Sequence, residues 1–321
     1  MDQGPAARIP TNTLARVLYA LKPKSWPKLL VAATFGQVLG VLAAGRFDPT
    51  GALLGFAFTL FDLAFVVLLN DYGDREVDAL KRRMAPDGCS PKTIPDRILE
   101  PRSVLLLGLG AGAFALSVGL AAEAFAARPG ALLAAAACMA LFVVYTLPPV
   151  RLNYRGGGEF VEMLGVGFAL PWWNAYVQSG IAVPQNLGWL PGLALLALAS
   201  ALASGLADEQ SDRLGGKRTF ATMFGPQRVR TAVEGMYVGA ILVWAAMGKL
   251  APHLADWWTT APAVAAMSWL HRDLVRAGRA RDVDEPGGIA RYKAALHRGV
   301  WWGTLVLAAT LVLRWAIGVM S

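Results

Sequence analysis

Apolar runs of bilayer length recur along the whole chain, and this constrains the fold more than any other feature. They fall near 27–45, 51–69, 103–122, 130–148, 159–180, 187–207, 230–250, 254–271 and 299–318. Each is about 20 residues long, the length needed to cross a hydrocarbon core as a helix. Only 16% of the 321 residues are charged and 55% are hydrophobic, whereas a water-soluble domain carries about a quarter charged. The pattern predicts an all-α polytopic membrane bundle of about nine transmembrane helices. It forms one domain over 27–321, preceded by a cytoplasmic N-terminal segment over 1–26. That segment lacks an apolar core and does not read as a cleavable signal peptide.

Basic residues set the orientation. With the N-terminus inside, 26 of the 30 Lys and Arg fall on the inner side, leaving Arg46, Arg128, Lys249 and Arg314 outside. This is a positive-inside signal. It predicts a multi-pass protein of a bacterial inner membrane, with its chemistry opening toward the cytoplasm. The positive charge is shared among separate membrane-flanking loops, which argues against a nucleic-acid partner. Cys89 and Cys138, and His253, His271 and His297, form no metal spacing.

Acids crowd two of the inner helix ends. Asn70, Asp74 and Asp78 are spaced four apart, with Asp71 beside them, and Asp208 and Asp212 repeat the spacing four spans later. On a continuous helix each set forms one stripe, where like charges repel. Solvated helix ends paired with Arg75, Lys81 or Arg213 are one reading. The other is a Mg²⁺ site, because Mg²⁺ takes a few carboxylates and completes its shell with water and phosphate oxygens. Two acidic ends at one depth would then clamp a diphosphate, with Lys217 and Arg218 neutralising its oxygens. The lipid surroundings imply a long apolar tail on that substrate. An EF-hand fails, because Glu76 stands where glycine is needed and Arg82 where glutamate is needed. Gly156–Gly158 lack the lysine and spacing of a P-loop.

The pair "NDYGDREVD" and "DEQSDRLGGKRT" resembles the paired acidic signatures of the UbiA superfamily of intramembrane prenyltransferases. "LKPKSWPKLLVAATFGQVLG" is similar to the start of the first helix in that family, with a lean to its dihydroxynaphthoate branch, and "YTLPPVRLNYRGGGEF" to the segment after the fourth. The resemblance implies a bundle around a central pocket open to membrane lipid, and Mg²⁺-dependent transfer of a prenyl group from a prenyl diphosphate to a hydrophobic aromatic or quinone-precursor acceptor. It implies a metal or diphosphate shell of Asn70, Asp71, Asp74, Asp78, Asp208 and Asp212. It adds diphosphate contacts from Lys22, Arg151, Lys217 and Arg218, and a role for Tyr145. A terpene cyclase would use the same metal shell without an acceptor. A divalent-cation transporter would place its acids near the midplane.

Inside the second run, Asp62 is an intramembrane acid and so a functional candidate. It shares the face of Asn70, roughly 12 Å deeper at 1.5 Å per residue. It is expected to orient the acceptor or take its proton. Glu162 is a second candidate for acceptor contact, while Glu159 reads as a helix cap. Phe61, Phe65, Trp172, Trp173 and Tyr176 are candidates to line a dry pocket and face an allylic cation. The long inner loop from Lys81 to Ser103 is expected to cap that pocket.

Overall fold

The computed structural model describes residues 12–86, 90–251, 254 and 256–320. Cys89 and His253 lie outside the described residues. Among the described residues every regular element is a helix and there is no strand. In chain order the helices are α1 (Thr13–Leu21), α2 (Pro27–Ala44), α3 (Pro49–Gly73), α4 (Arg75–Met84), α5 (Pro101–Phe125), α6 (Ala131–Thr146), α7 (Leu152–Arg155) and α8 (Gly158–Leu164). They continue as α9 (Leu170–Ser179), α10 (Leu190–Leu206), α11 (Glu209–Leu214), α12 (Phe220–Phe224), α13 (Pro226–Leu250), α14 (Trp257–Gly278) and α15 (Pro286–Met320).

Helix starts follow the sequence. Proline opens α2, α3, α5 and α13, where its missing N–H costs nothing. Asp48 caps α3 by accepting from the Thr50 N–H at 3.0 Å. Helical segments stand at all nine apolar runs, and six of them are long and apolar enough to cross a membrane unaided. The other three each have a local reason to fall short. α6 is a short apolar helix. α14 carries Pro262 and ends in Arg272, Asp273 and Arg276. The fifth run is broken into α8 and α9 by a π turn at Gly165–Ala169. Pro171 cannot donate to the carbonyl of Gly167, so the turn widens there.

Two apolar clusters hold the bundle. One joins α2 and α10 to α13, α14 and α15, and the other joins α3, α5, α6 and α9. Between them α2, α3 and α9 meet through a buried polar knot. Gln37 donates to Asn174 at 2.9 Å, Asn174 donates to Thr59 at 3.1 Å, and Thr59 donates to the Gly55 carbonyl at 2.8 Å. In an apolar medium such bonds fix which helix faces meet. Close approach depends on glycine here. A Cβ at Gly36 would sit 2.2 Å from the Pro171 carbonyl oxygen, and one at Gly55 would sit 1.8 Å from the Gln37 amide nitrogen.

α3 does not run straight into α4 as one helix. The chain leaves helical geometry at Asp74, with φ −98° and ψ 6°. The four-residue spacing nevertheless survives across the break. The Asp74 N–H bonds the Asn70 carbonyl and the Asp78 N–H bonds the Asp74 carbonyl, both at 2.8 Å.

Candidate active site

Both acidic segments sit where a long apolar helix ends. The first spans the end of α3 and the first turn of α4, and the second spans the end of α10 and α11. The two turns pack together, since Gly215 lies directly against Val77. Asp71, Asp74, Asp78 and Asp212 are all buried, which is costly for a carboxylate without a partner.

Lysines are the partners. Lys22 and Thr93 hold Asp71. Lys92 meets Asp78 at 2.5 Å, and Lys81 of α4 pairs with Asp208 of the other segment. Lys217 is shared, at 2.6 Å from Asp74 and 3.8 Å from Asp212. Its ammonium therefore lies between carboxylates of both motifs, and its position is fixed by a 2.8 Å bond from its own N–H to the Asp212 carbonyl. Burial pushes the Asp212 carboxyl up to about 6, against the opposing pull of Lys217. Burial, and then the Asp74 charge, raise the Tyr154 phenol, whose ring lies 4.9 Å under the Lys217 ammonium.

Among the described residues no three Asp, Glu, His or Cys side chains converge tightly enough to hold a metal. The donor set nonetheless fits a hard divalent cation. It is all oxygen, it comes from two facing segments, and a cationic group already sits between Asp74 and Asp212.

Below the acids opens a cavity of about 280 Å³. Lys22, Asn70 and Asp71 lie at its acidic end, and Asp62, Glu162, Tyr145 and Lys28 also line it, with an apolar wall that includes Leu63, Val66 and Phe142. Asp62 is 8% exposed and opens into this cavity. Glu162 pairs there with Lys28.

Some expected residues stand elsewhere. Arg218 is exposed, and its N–H bonds the Tyr154 carbonyl at 3.2 Å. Arg151 is a brace, stacked 3.5 Å over the Tyr154 ring and donating to the Gly73 carbonyl at 2.6 Å. Glu159 accepts the Phe220 N–H at 2.7 Å and so ties α8 to α12. None of the five aromatic candidates lines the cavity. Phe61 faces outward against Phe114, Trp173 stacks on Phe58, and Tyr176 donates to the Pro129 carbonyl. Phe142 and Tyr145 take that place instead.

The sequence reading also missed Lys92 and Thr93. They arrive on the inner loop, whose Asp96 is clasped by Arg82 at 2.6 Å and by the Tyr19 hydroxyl at 2.5 Å. Only the polar "PKT" inside a long loop hinted at them.

The model of the UbiA prenyltransferase family matches residues 29–285. The chain belongs to that family. It is 25% identical to the chloroplastic chlorophyll synthase of Arabidopsis thaliana, over 70% of this chain and 57% of that protein. It is 24% identical to the 1,4-dihydroxy-2-naphthoate octaprenyltransferase of Escherichia coli K12, over 75% of this chain and 79% of that protein. The chain spans less than two thirds of the length of the chlorophyll synthases it matches. A UbiA homolog from Archaeoglobus fulgidus, solved with GPP and Mg²⁺, superposes with a TM-score of 0.65 at 18% identity. The match covers 91% of this chain and 99% of that one. At that identity the likeness speaks for the UbiA fold, and the apolar helices make this member an integral membrane protein.

Proposed function

We propose that this UbiA family member transfers a prenyl group from a prenyl diphosphate to an aromatic or quinone-precursor acceptor inside the membrane. The observation that carries the proposal is the single ammonium of Lys217 held between carboxylates of both motifs, while Asn70 and Asp71 of the first motif line a part-apolar cavity. Asn70, Asp71, Asp74, Asp78, Asp208 and Asp212 would hold Mg²⁺. The ion supplies Lewis-acid stabilisation of the leaving diphosphate.

In this reading Lys217, Lys22 and Lys92 turn from the carboxylates to the phosphate oxygens as the substrate enters. Arg151 and Arg218 join only if their segments move. The prenyl C1–O bond breaks and its electron pair leaves with the diphosphate. The allylic carbon is then attacked by an electron-rich ring carbon of the acceptor, forming a C–C bond, and that carbon loses its proton. Asp62 is placed to orient the acceptor or take the proton, and Tyr145 and Phe142 shield the cation from water. The loop bearing Lys92 and Thr93 closes the acidic end. Nine membrane crossings, an inner-membrane setting and a cytoplasmic mouth complete the reading.

The test is a product screen by mass spectrometry. Purified protein in nanodiscs with Mg²⁺ receives a ladder of prenyl diphosphates with a panel of aromatic acceptors, beside an Asp74→Ala/Asp208→Ala control. A product of acceptor plus prenyl mass, absent from the control, supports the transferase. A cyclic hydrocarbon or alcohol formed without acceptor moves the assignment to a cyclase.

A further inference from the structure

The helix before the first span carries an apolar stripe that stays largely in the open. α1 repeats Leu14, Val17, Leu18 and Leu21 at i, i+3, i+4 and i+7, which is one face of an amphipathic helix. Leu21 packs on a small cluster of Ala20, Leu68 and Val104. Leu14 and Leu18 are 68% and 43% exposed. Among the described residues of α1 only Ala20 is fully buried. A nine-residue helix is too short to hold itself in water and needs its apolar face packed.

Its level in the bundle says what packs on it. Leu68 lies in the second-last turn of α3 and Val104 in the first turn of α5, and both helices are apolar and of bilayer length. α1 therefore sits at the rim of the spans. Leu107, one turn beyond Val104, is also exposed, so the open apolar surface of α5 comes up to α1. The Trp26 indole donates to the Leu21 carbonyl at 2.8 Å and fixes the corner into α2, at the depth where amphipathic rings favour a membrane interface.

The other side of α1 is tied to the acidic site. The Tyr19 hydroxyl donates to Asp96 at 2.5 Å, and the same carboxylate accepts the Lys92 N–H at 2.9 Å. Lys22, which caps the end of α1, reaches Asp71. We infer that α1 is an interfacial helix: Leu14 and Leu18 enter the headgroup–acyl boundary of the bilayer, and this seat holds Tyr19 and Lys22 in register with the inner loop and with Asp71. Neither contact depends on what the enzyme transfers.

Photo-crosslinking tests the seat. Full-length protein in phospholipid nanodiscs carries benzoylphenylalanine at Leu14, Leu18, Leu106 or Glu76, and peptide mass spectrometry after irradiation reads the partner. Leu106, exposed on α5, is the lipid control, and Glu76, with its side chain 88% exposed on α4, is the solvent control. Phospholipid adducts at Leu14 and Leu18 should match the yield at Leu106 and stand well above that at Glu76. Lipid yields no higher than at Glu76 would overturn the seat, as would adducts to a second copy of the chain in place of lipid. The tie to the loop has its own readout. Leu14→Gln/Leu18→Gln should speed limited proteolysis of the 90–98 segment by about 10- to 100-fold, the worth of two part-inserted leucines, and leave cleavage of the 279–285 loop unchanged. Tyr19→Phe should speed it too, while a probe at Leu14 keeps its lipid adduct. No rise in the double variant, or a rise shared with the 279–285 loop, would refute the tie. Neither readout uses turnover, so failure of the transferase reading leaves both standing.

Discussion

Replacing Lys217 by methionine isolates what the shared ammonium does. Lys217 is 2.6 Å from Asp74 and 3.8 Å from Asp212, and all three side chains are no more than 10% exposed. Methionine keeps the stem and removes the charge. Two buried carboxylates then face each other without their shared cation, a loss of about 3–5 kcal/mol for breaking a buried pair. For a chain of this size each kcal/mol moves a thermal midpoint by about 2–4 °C. The melt in EDTA should therefore fall by about 6–20 °C. A divalent cation seated between the same carboxylates would return about 2.7 kcal/mol at a concentration 100 times its Kd. The Lys217→Met protein should accordingly gain more from Mg²⁺ than wild type, which already carries its own cation there. Thermal melts of both proteins in detergent, in EDTA and in a Mg²⁺ series, read this directly. Equal Mg²⁺ shifts in the two proteins would refute the shared-seat reasoning, as would an unchanged EDTA melt.

Asp62→Asn keeps the cavity shape and removes the charge, so turnover on the true acceptor should drop by about 100-fold or more, with prenyl diphosphate affinity unchanged by equilibrium binding. Gly36→Ala should destabilise by about 1–3 kcal/mol, because its Cβ meets the Pro171 carbonyl at 2.2 Å; a detergent melt measures the loss. Burial alone would raise the Asp96 carboxyl, but hydrogen bonds from Arg82 and Tyr19 outweigh it and hold the group below the usual carboxylate range. A lowered folded pKa means that this clasp contributes its full stability above the unfolded carboxylate pKa of about 3.9 and loses it as pH falls through the folded value. Limited proteolysis of the 90–98 segment should accelerate on acidification into that range, and Asp96→Asn should be open already at neutral pH.

The helices and the two acid-bearing ends were legible because membrane length, proline starts and four-residue spacing are local signals. Asp74 shows where locality stops. Its spacing predicts a continuous stripe, and the hydrogen bonds keep that stripe, yet the backbone breaks between α3 and α4. The aromatic candidates failed for a different reason. Trp173 and Phe61 look alike in sequence, but only helix packing decides that one stacks in a core and the other faces outward. Lys92 and Lys28 were missed because each acts on a residue that the sequence places far away, Asp78 across a loop and Glu162 across the bundle. A lone lysine near a membrane edge carries no spacing that could announce such a partner.

These lysines also explain how a cluster of mostly buried acids stays folded. Asp71, Asp74, Asp78, Asp208 and Asp212 meet Lys22, Lys217, Lys92 and Lys81, so the cluster is close to neutral by its own residues. A diphosphate alone would pull the lysines away and leave the carboxylates facing its own negative charge. A divalent cation alone would crowd the ammonium of Lys217. On the proposed reading, joint arrival would exchange partners with little net change: the carboxylates would hold the cation and the lysines the phosphate oxygens. Charge balance at the edge of a low-dielectric bundle thus favours joint binding over either ligand singly. On that reading the loop that carries Lys92 and Thr93 would move with the exchange, because it holds Asp78 and Asp71 through those two residues.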